Sequence, residues 1–222
     1  MTDALATWIK SRLGHAPRDI GLFLQALTHP SHGDAHYQRL EFLGDRVLGL
    51  VIANWLYARH AQEAEGKLAH RFNGLVSREV CADVGRDIGL TPWLRLGKQA
   101  LDDGVFESDN VLGDVVEALI GALYLDGGMA AAESFIRRHW GDRTDGQRTP
   151  PKHPKAALQE LAAAKHRKPP AYMILDRSGP DHRPRFRIKV QVNGLGEAEG
   201  NGASRQEAET AAAKALMEKL ER

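Results

Sequence analysis

The chain has 222 residues, of which 42% are hydrophobic and 27% charged, with 22 glycines, 10 prolines and a single cysteine, Cys81. That length suits one large domain or two smaller ones with real cores, and it excludes a disordered or collagen-like chain. One cysteine excludes a disulfide framework or a multi-cysteine zinc site and fits a reducing, cytoplasmic setting. The Met-Thr-Asp-Ala-Leu start lacks a signal peptide pattern, and Arg46, Asp114 and Glu117 interrupt the longest apolar runs, so no membrane span is expected.

In chain order, residues 1–140 read as all-helical. Apolar residues recur at three- and four-residue spacings, as in Leu40, Leu43, Val47, Leu50, Val51 and again in Leu112, Val115, Val116, Leu119, Leu123. Residues 141–154 lose that period and contain three prolines, Pro150, Pro151 and Pro154, which predicts a linker. From 155 to 222 the pattern changes. Lys155–Lys165 reads as a helix, and alternation begins at Ala171. It is clearest where Phe186, Ile188, Val190 and Val192 face one way and Arg185, Arg187, Lys189 and Gln191 the other. Asn193-Gly194 signals a hairpin, a short strand follows near Glu197–Gly202, and Ser204 caps an alanine-rich helix to about Leu220. The predicted order is helix, three antiparallel strands, helix, an α+β module with both helices on one face.

The near-zero net charge of +1 hides a division. Residues 1–148 carry 16 Lys and Arg against 20 Asp and Glu, whereas residues 149–222 carry 14 against 9. A basic second half points to a polyanionic partner there. The acidic half needs another explanation.

Two helical stretches supply it. In Leu40–Ala53, apolar nearly all round and so expected to be buried, Glu41 and Asp45 stand one turn apart on the same side. In Asn110–Tyr124, Asp114 and Glu117 are the only charges. Acidic pairs at helical spacing are ordinarily solvated, but neither stretch offers a polar face to hold them. An unpaired buried carboxylate costs several kcal/mol or takes up a proton. Two such pairs at one centre call for cations, and oxygen ligands suit Mg²⁺. Two metal ions roughly 4 Å apart are a recurrent device for displacement at phosphorus. Neutralisation by Arg46 or Arg71 is the competing reading, and one arginine cannot satisfy four carboxylates. A di-metal redox bundle would want Glu-x-x-His, but Glu117 is followed at +3 by Ile120 and Glu41 by Gly44.

Arg39-Leu-Glu-Phe-Leu-Gly-Asp45 resembles the signature of the ribonuclease III family, whose members cleave double-stranded RNA. Ala26-Leu-Thr-His-Pro-Ser31 resembles the family's early helix–turn segment, and Asp114–Asp126 its second acidic motif. The C-terminal module resembles the double-stranded RNA-binding domain that bacterial members carry after a linker. The resemblance implies a multidomain architecture, an all-helical endonuclease domain followed by an α-β-β-β-α RNA-binding domain. It implies Glu41, Asp114 and Glu117 as ligands of Mg²⁺, for which Mn²⁺ can substitute, and Asp45 with Glu117 as the acids most needed for catalysis. It further implies a homodimer with Phe42 plugging into the partner, core packing being the other reading of that side chain. The implied products carry 5′-phosphates, 3′-hydroxyls and short 3′ overhangs, and the implied substrates are ribosomal and messenger RNAs.

Two departures stand out. Gln38 occupies a position where the family has a glutamate, while Glu65 matches a second accessory acid. The segment 98–109 is acidic where many relatives are basic. In the module, the resemblance gives RNA contacts to Gln159 and Glu160, to His182 in the 179–182 turn, and to Arg205 at the start of the last helix. Arg183, Arg185, Arg187 and Lys189 fall on the sheet face away from the helices and read as a solvated stripe. A non-catalytic duplex-binding protein on the same fold is the alternative, and it predicts loss of one or more of the four acids, all of which are present.

Overall fold

A computed structural model describes residues 2–146, 154–179 and 184–220. These separate into two compact units, Met1–Pro150 and Pro151–Arg222. In the first unit the helices are α1 (Thr2–Trp8), continued by a wider π turn to Leu13, then α2 (Ile20–Ala26), α3 (Gln38–Arg59), α4 (Glu65–Leu75), α5 (Arg78–Asp87), α6 (Lys98–Asp102) and α7 (Asp109–Gly146). No strand occurs among its described residues, in keeping with the helical period of the sequence.

The core is built round α7. Val115, Val116, Ala118, Leu119, Ile120, Ala122 and Leu123 are fully buried there, so α7 contacts neighbours on every side. Leu40, Val47, Leu48, Val51, Ile52 and Leu56 of α3 and Cys81, Ala82 and Val84 of α5 complete the same cluster. α7 is also the one described helix long and apolar enough to cross a bilayer, and most of the apolar side chains between Val111 and Leu123 are spent on this core. It bends at Gly128, whose φ of 74° is open to glycine without strain.

Two features depart from the sequence reading. α7 continues to Gly146, past residue 140 where composition places a linker. Trp140 is fully buried with its indole N–H on Leu75 O at 2.8 Å, Thr144 Oγ1 donates to Trp140 O at 2.9 Å, and Arg143 bridges His139 O and Asp87 Oδ2, each at 2.8 Å. Polar side chains that bond back to the helix and across to α5 hold this last stretch without an apolar stripe. Second, α3 is not buried all round. Phe42, Leu50 and Tyr57 are 65%, 60% and 75% exposed along its outward side, so its all-round apolar character records a core face and an uncovered one.

The second unit runs α8 (Pro154–Ala164), β1 (Ala171–Ser178), β2 (Arg185–Val192), β3 (Gly196–Gly202), α9 (Arg205–Leu220), with an antiparallel sheet in the order β1-β2-β3. Leu158, Ala162, Ala212, Ala213 and Leu216 from the helices meet Val190, Val192 and Ala198 from the sheet. The alanines of α9 and the glycines of β3 have one cause. A β-carbon at Gly200 would overlap the backbone of Ala212, so helix and strand touch main chain to main chain. Ser204 Oγ accepts from Glu207 N at 3.1 Å and Glu207 Oε2 accepts from Ala203 N at 2.9 Å, a cap close to the reciprocal box.

Asp126, just before the α7 bend, ties down the N-terminal segment. Its Oδ2 accepts from Arg18 N at 2.9 Å and meets His15 Nε2 at 2.6 Å, and its Oδ1 accepts from Asp19 N at 2.7 Å. Burial alone would raise this carboxyl, but the donors from Arg18, His15 and Asp19 outweigh it and hold it below the usual carboxylate range. A carboxyl depressed on folding stabilises above its unfolded value and loses that contribution as pH falls through the folded one. Asp126→Asn should therefore cost about 2 kcal/mol at pH 7, with the gap to wild type closing below about pH 4. Urea unfolding followed by tryptophan fluorescence reads this unit alone, because Trp8, Trp55, Trp93 and Trp140 all lie in it.

Candidate active site

Glu41, Asp114 and Glu117 meet because α3 and α7 cross at glycines, and Asp45 follows one turn on from Glu41. A β-carbon at Gly44 would overlap the carbonyl oxygen of Glu117 and come within 2.9 Å of Gly121 N, and one at Gly121 would overlap Leu40 O. Glu41 and Asp45 flank one side of this contact in the chain, and Asp114 and Glu117 precede it on the other helix. All four carboxylates are half-buried.

The electrostatics of Glu41, Asp114 and Glu117 are those of a shared centre. Glu117 is pushed up to about 7, by burial first and then by the fields of Asp114 and Glu41, with Arg78 and Arg46 opposing. Burial and Asp114 raise Glu41, again against Arg78. Asp114 is raised by burial, and the Tyr37 hydrogen bond, Arg78 and His29 pull the other way. Negative charge here is undercompensated. Arg71, one of the two arginines that the sequence offers as neutralisers, is buried and committed to Glu63 through bonds of 2.8 and 2.7 Å. Arg46 pairs with Asp45 and lies 4.9 Å from the Phe42 ring. Among the described residues no trio of His, Cys, Asp and Glu is already drawn into a metal-binding cluster.

Three neighbours of the acids were not evident in the sequence. Tyr37 donates its hydroxyl to Asp114 Oδ2 at 3.2 Å, and Cys81 Sγ lies 3.9 Å from Glu117 Oε1. Burial, then the Glu117 charge, pushes the Cys81 thiol upward and keeps it neutral. Arg78 opens α5 behind the Ser77 cap and packs across Gly113, next to Asp114. No short-range sequence signal marks any of them, since each contact joins distant segments.

The remaining predicted residues are spread more widely. Gln38 and Glu65 are exposed first residues of α3 and α4, and no described contact joins Glu65 to the four acids. Phe42 stands in solvent, which excludes the core-packing reading. In the acidic 98–109 segment, Asp109 is paired with Arg86, which also holds Asp83 at 2.9 Å.

In the second unit Gln159 and Glu160 are exposed on α8. Arg205 binds Glu209 Oε1 at 2.8 Å, and Lys155 binds Oε2 of the same side chain at 2.6 Å, so Arg205 is anchored within its own unit. His182 and Arg183 lie outside the described residues. The basic stripe is answered across the sheet, Lys189 by Glu197 at 2.6 Å and Arg187 by Glu199 at 4.0 Å.

Residues 19–142 match the model of the Ribonuclease-III-like family, and residues 154–220 match that of the Double-stranded RNA binding motif. The chain belongs to the ribonuclease III family. It is 59% identical to Ribonuclease 3 of Zymomonas mobilis over 98% of this chain and 89% of that one. It is 46% identical to Ribonuclease 3 of Azorhizobium caulinodans over 94% and 92%. A solved nuclease domain of ribonuclease III from Campylobacter jejuni, reported for flexibility in its region involved in dimer formation, matches with a TM-score of 0.59 and 31% identity, covering 61% of this chain and 95% of that one. The helical unit is thus a ribonuclease III nuclease domain, and the α-β-β-β-α unit a double-stranded RNA-binding domain.

The glycine crossing gives a sign test. In an exposed helix interior, glycine to alanine stabilises by roughly 0.5–1 kcal/mol. Gly44→Ala should instead destabilise the nuclease domain by about 3 kcal/mol or more, because main chain must part from main chain. Urea unfolding of the variant checks this, and a stabilised variant would refute the close crossing.

Proposed function

We propose that this ribonuclease III family member hydrolyses double-stranded RNA in a reaction that depends on Mg²⁺, with Mn²⁺ able to substitute, at the acids of α3 and α7. The observation that carries the reading is the crossing that gathers three half-buried carboxylates, Glu41, Asp114 and Glu117, with too little positive charge to balance them, Asp45 standing one turn on from Glu41. The donor set is all oxygen, as hard divalent ions prefer, and Mg²⁺ binds through one or two carboxylates and waters without a preassembled cage. Glu41, Asp114 and Glu117 would hold the ion. When bound it supplies Lewis-acid stabilisation of charge on phosphate oxygens and a more acidic water.

The chain's own groups do the rest. Asp45 and Glu117 are the acids on which turnover depends most, Asp45 oriented by Arg46 and Glu117 backed by the neutral Cys81 thiol. Glu65 and Gln38 are accessory, Gln38 as a neutral hydrogen-bonding group without charge. In the RNA-binding domain Gln159, Glu160, His182 and Arg205 meet the duplex, whose shallow minor groove displays 2′-hydroxyls to a reader of shape. Phe42, with Leu50 and Tyr57 on the same open side of α3, forms the contact of a homodimer. Two sites, one for each strand, would leave 5′-phosphates, 3′-hydroxyls and short 3′ overhangs. The natural substrates are ribosomal, messenger and transfer RNA precursors in the cytoplasm.

The test compares wild type with Glu117→Gln on a long RNA duplex in Mg²⁺. Cleavage should fall about a thousandfold or more, while duplex affinity stays within about threefold, because the phosphate contacts that dominate it lie elsewhere. A variant that cuts as fast as wild type would remove Glu117 from the chemistry. A wild-type protein that binds duplex but never cuts it would leave only the non-catalytic reading.

A further inference from the structure

The Thr28–Ser31 turn holds no acid, yet its contacts end at one. Ser31 N donates to His29 Nδ1 at 3.1 Å, Ser31 Oγ lies 2.8 Å from the same nitrogen, and Gly97 N donates to Ser31 Oγ at 3.0 Å. Because a backbone N–H donates to Nδ1, that nitrogen is the acceptor and the ring is fixed in place. The His29 ring meets the Tyr37 ring edge-on, centroids 5.8 Å apart at 63°. Tyr37 is 4% exposed and donates its backbone N–H to Thr28 O at 3.0 Å. Its carbonyl accepts from Leu40 N and Glu41 N, both at 2.9 Å, which starts the first turn of α3. Its hydroxyl reaches Asp114 Oδ2 at 3.2 Å.

One residue therefore touches both acidic helices, through its backbone and through its side chain. Its carbonyl sets the turn that carries Glu41, and its hydroxyl sets the carboxylate of Asp114. We propose that Tyr37, propped by His29, is a positioning residue of the metal site. Its O–H fixes the rotation of the Asp114 carboxylate through Oδ2 and leaves Oδ1, which carries no described hydrogen bond, to take the cation. This rests on Asp114 being a metal ligand, as proposed above. A buried phenol needs an acceptor in any case. Here the acceptor is a ligand carboxylate, and partners that orient ligands typically change metal affinity 10- to 100-fold.

Tyr37→Phe keeps the ring against His29 and removes only the hydroxyl. Mn²⁺ binding to the full chain, read from the free-ion electron paramagnetic resonance signal, should weaken about tenfold. The Mg²⁺ concentration for half-maximal cleavage should rise to match, with KM for duplex unchanged and the thermal unfolding of the metal-free protein little altered. In an Asp114→Asn background the same change should alter Mn²⁺ affinity by less than about twofold, since coupled residues do not add. If Tyr37→Phe binds Mn²⁺ like wild type while Asp114→Asn binds it poorly, the positioning role is wrong and the ligand assignment stands. Equal losses in both backgrounds would place the effect of Tyr37 elsewhere and also overturn the proposal. If Asp114→Asn itself binds Mn²⁺ like wild type, the ligand assignment fails first.

Discussion

Where α3 crosses α7, Gly44 and Gly121 let two helix backbones touch, with no side chain between Gly44 and the Glu117 carbonyl. That approach is closer than any pair of side-chain-bearing positions allows, and it decides where four carboxylates lie. Glycine in a helix interior normally costs roughly 1 kcal/mol relative to alanine. Here the cost is offset by burial of apolar surface on both sides of the crossing, from Leu40, Val47 and Leu48 on α3 and Val116, Leu119 and Ile120 on α7. The same packing withholds water from Glu41, Asp114 and Glu117, and their carboxyls rise accordingly. Stability and reactivity thus share one cause, because the core that holds the helices together is what leaves the acids short of countercharge.

Much of this was legible in the sequence, for a physical reason. Glu41 with Asp45, and Asp114 with Glu117, sit at spacings of four and three, and helical geometry converts such spacings into shared faces without long-range information. The strand of Arg187 and Lys189 was equally readable from alternation. Contacts between distant segments were not. Tyr37 meets Asp114 across 77 residues and Cys81 meets Glu117 across 36, and no local period reports either. The end of α7 escaped for a related reason, since Arg143 and Thr144 replace an apolar stripe with bonds to Asp87 and to the helix itself. In α3 the apolar period reports the helix but not which of its faces its own chain covers, and Phe42, Leu50 and Tyr57 are left exposed.

The net charge of +1 now has a structural reading. In the nuclease domain part of the negative charge is gathered at the crossing. Other acids are taken up by arginines, as Glu63 is by Arg71 and Asp109 by Arg86. In the RNA-binding domain the conspicuous stripe on β2 is balanced by Glu197 and Glu199, and Arg205 and Lys155 are drawn together on Glu209. Charge counted along the chain names the class of partner, and ion pairing within each unit determines how much of that charge is left to meet it.

The central claim is that the crossing of α3 and α7 forms a divalent-cation centre. Crystals of the full chain grown with Mn²⁺ test it most directly through an anomalous difference map. The account predicts density bounded by the carboxylates of Glu41, Asp114 and Glu117. Density at other acids, such as those of the 98–109 segment, with none at the crossing, would contradict it.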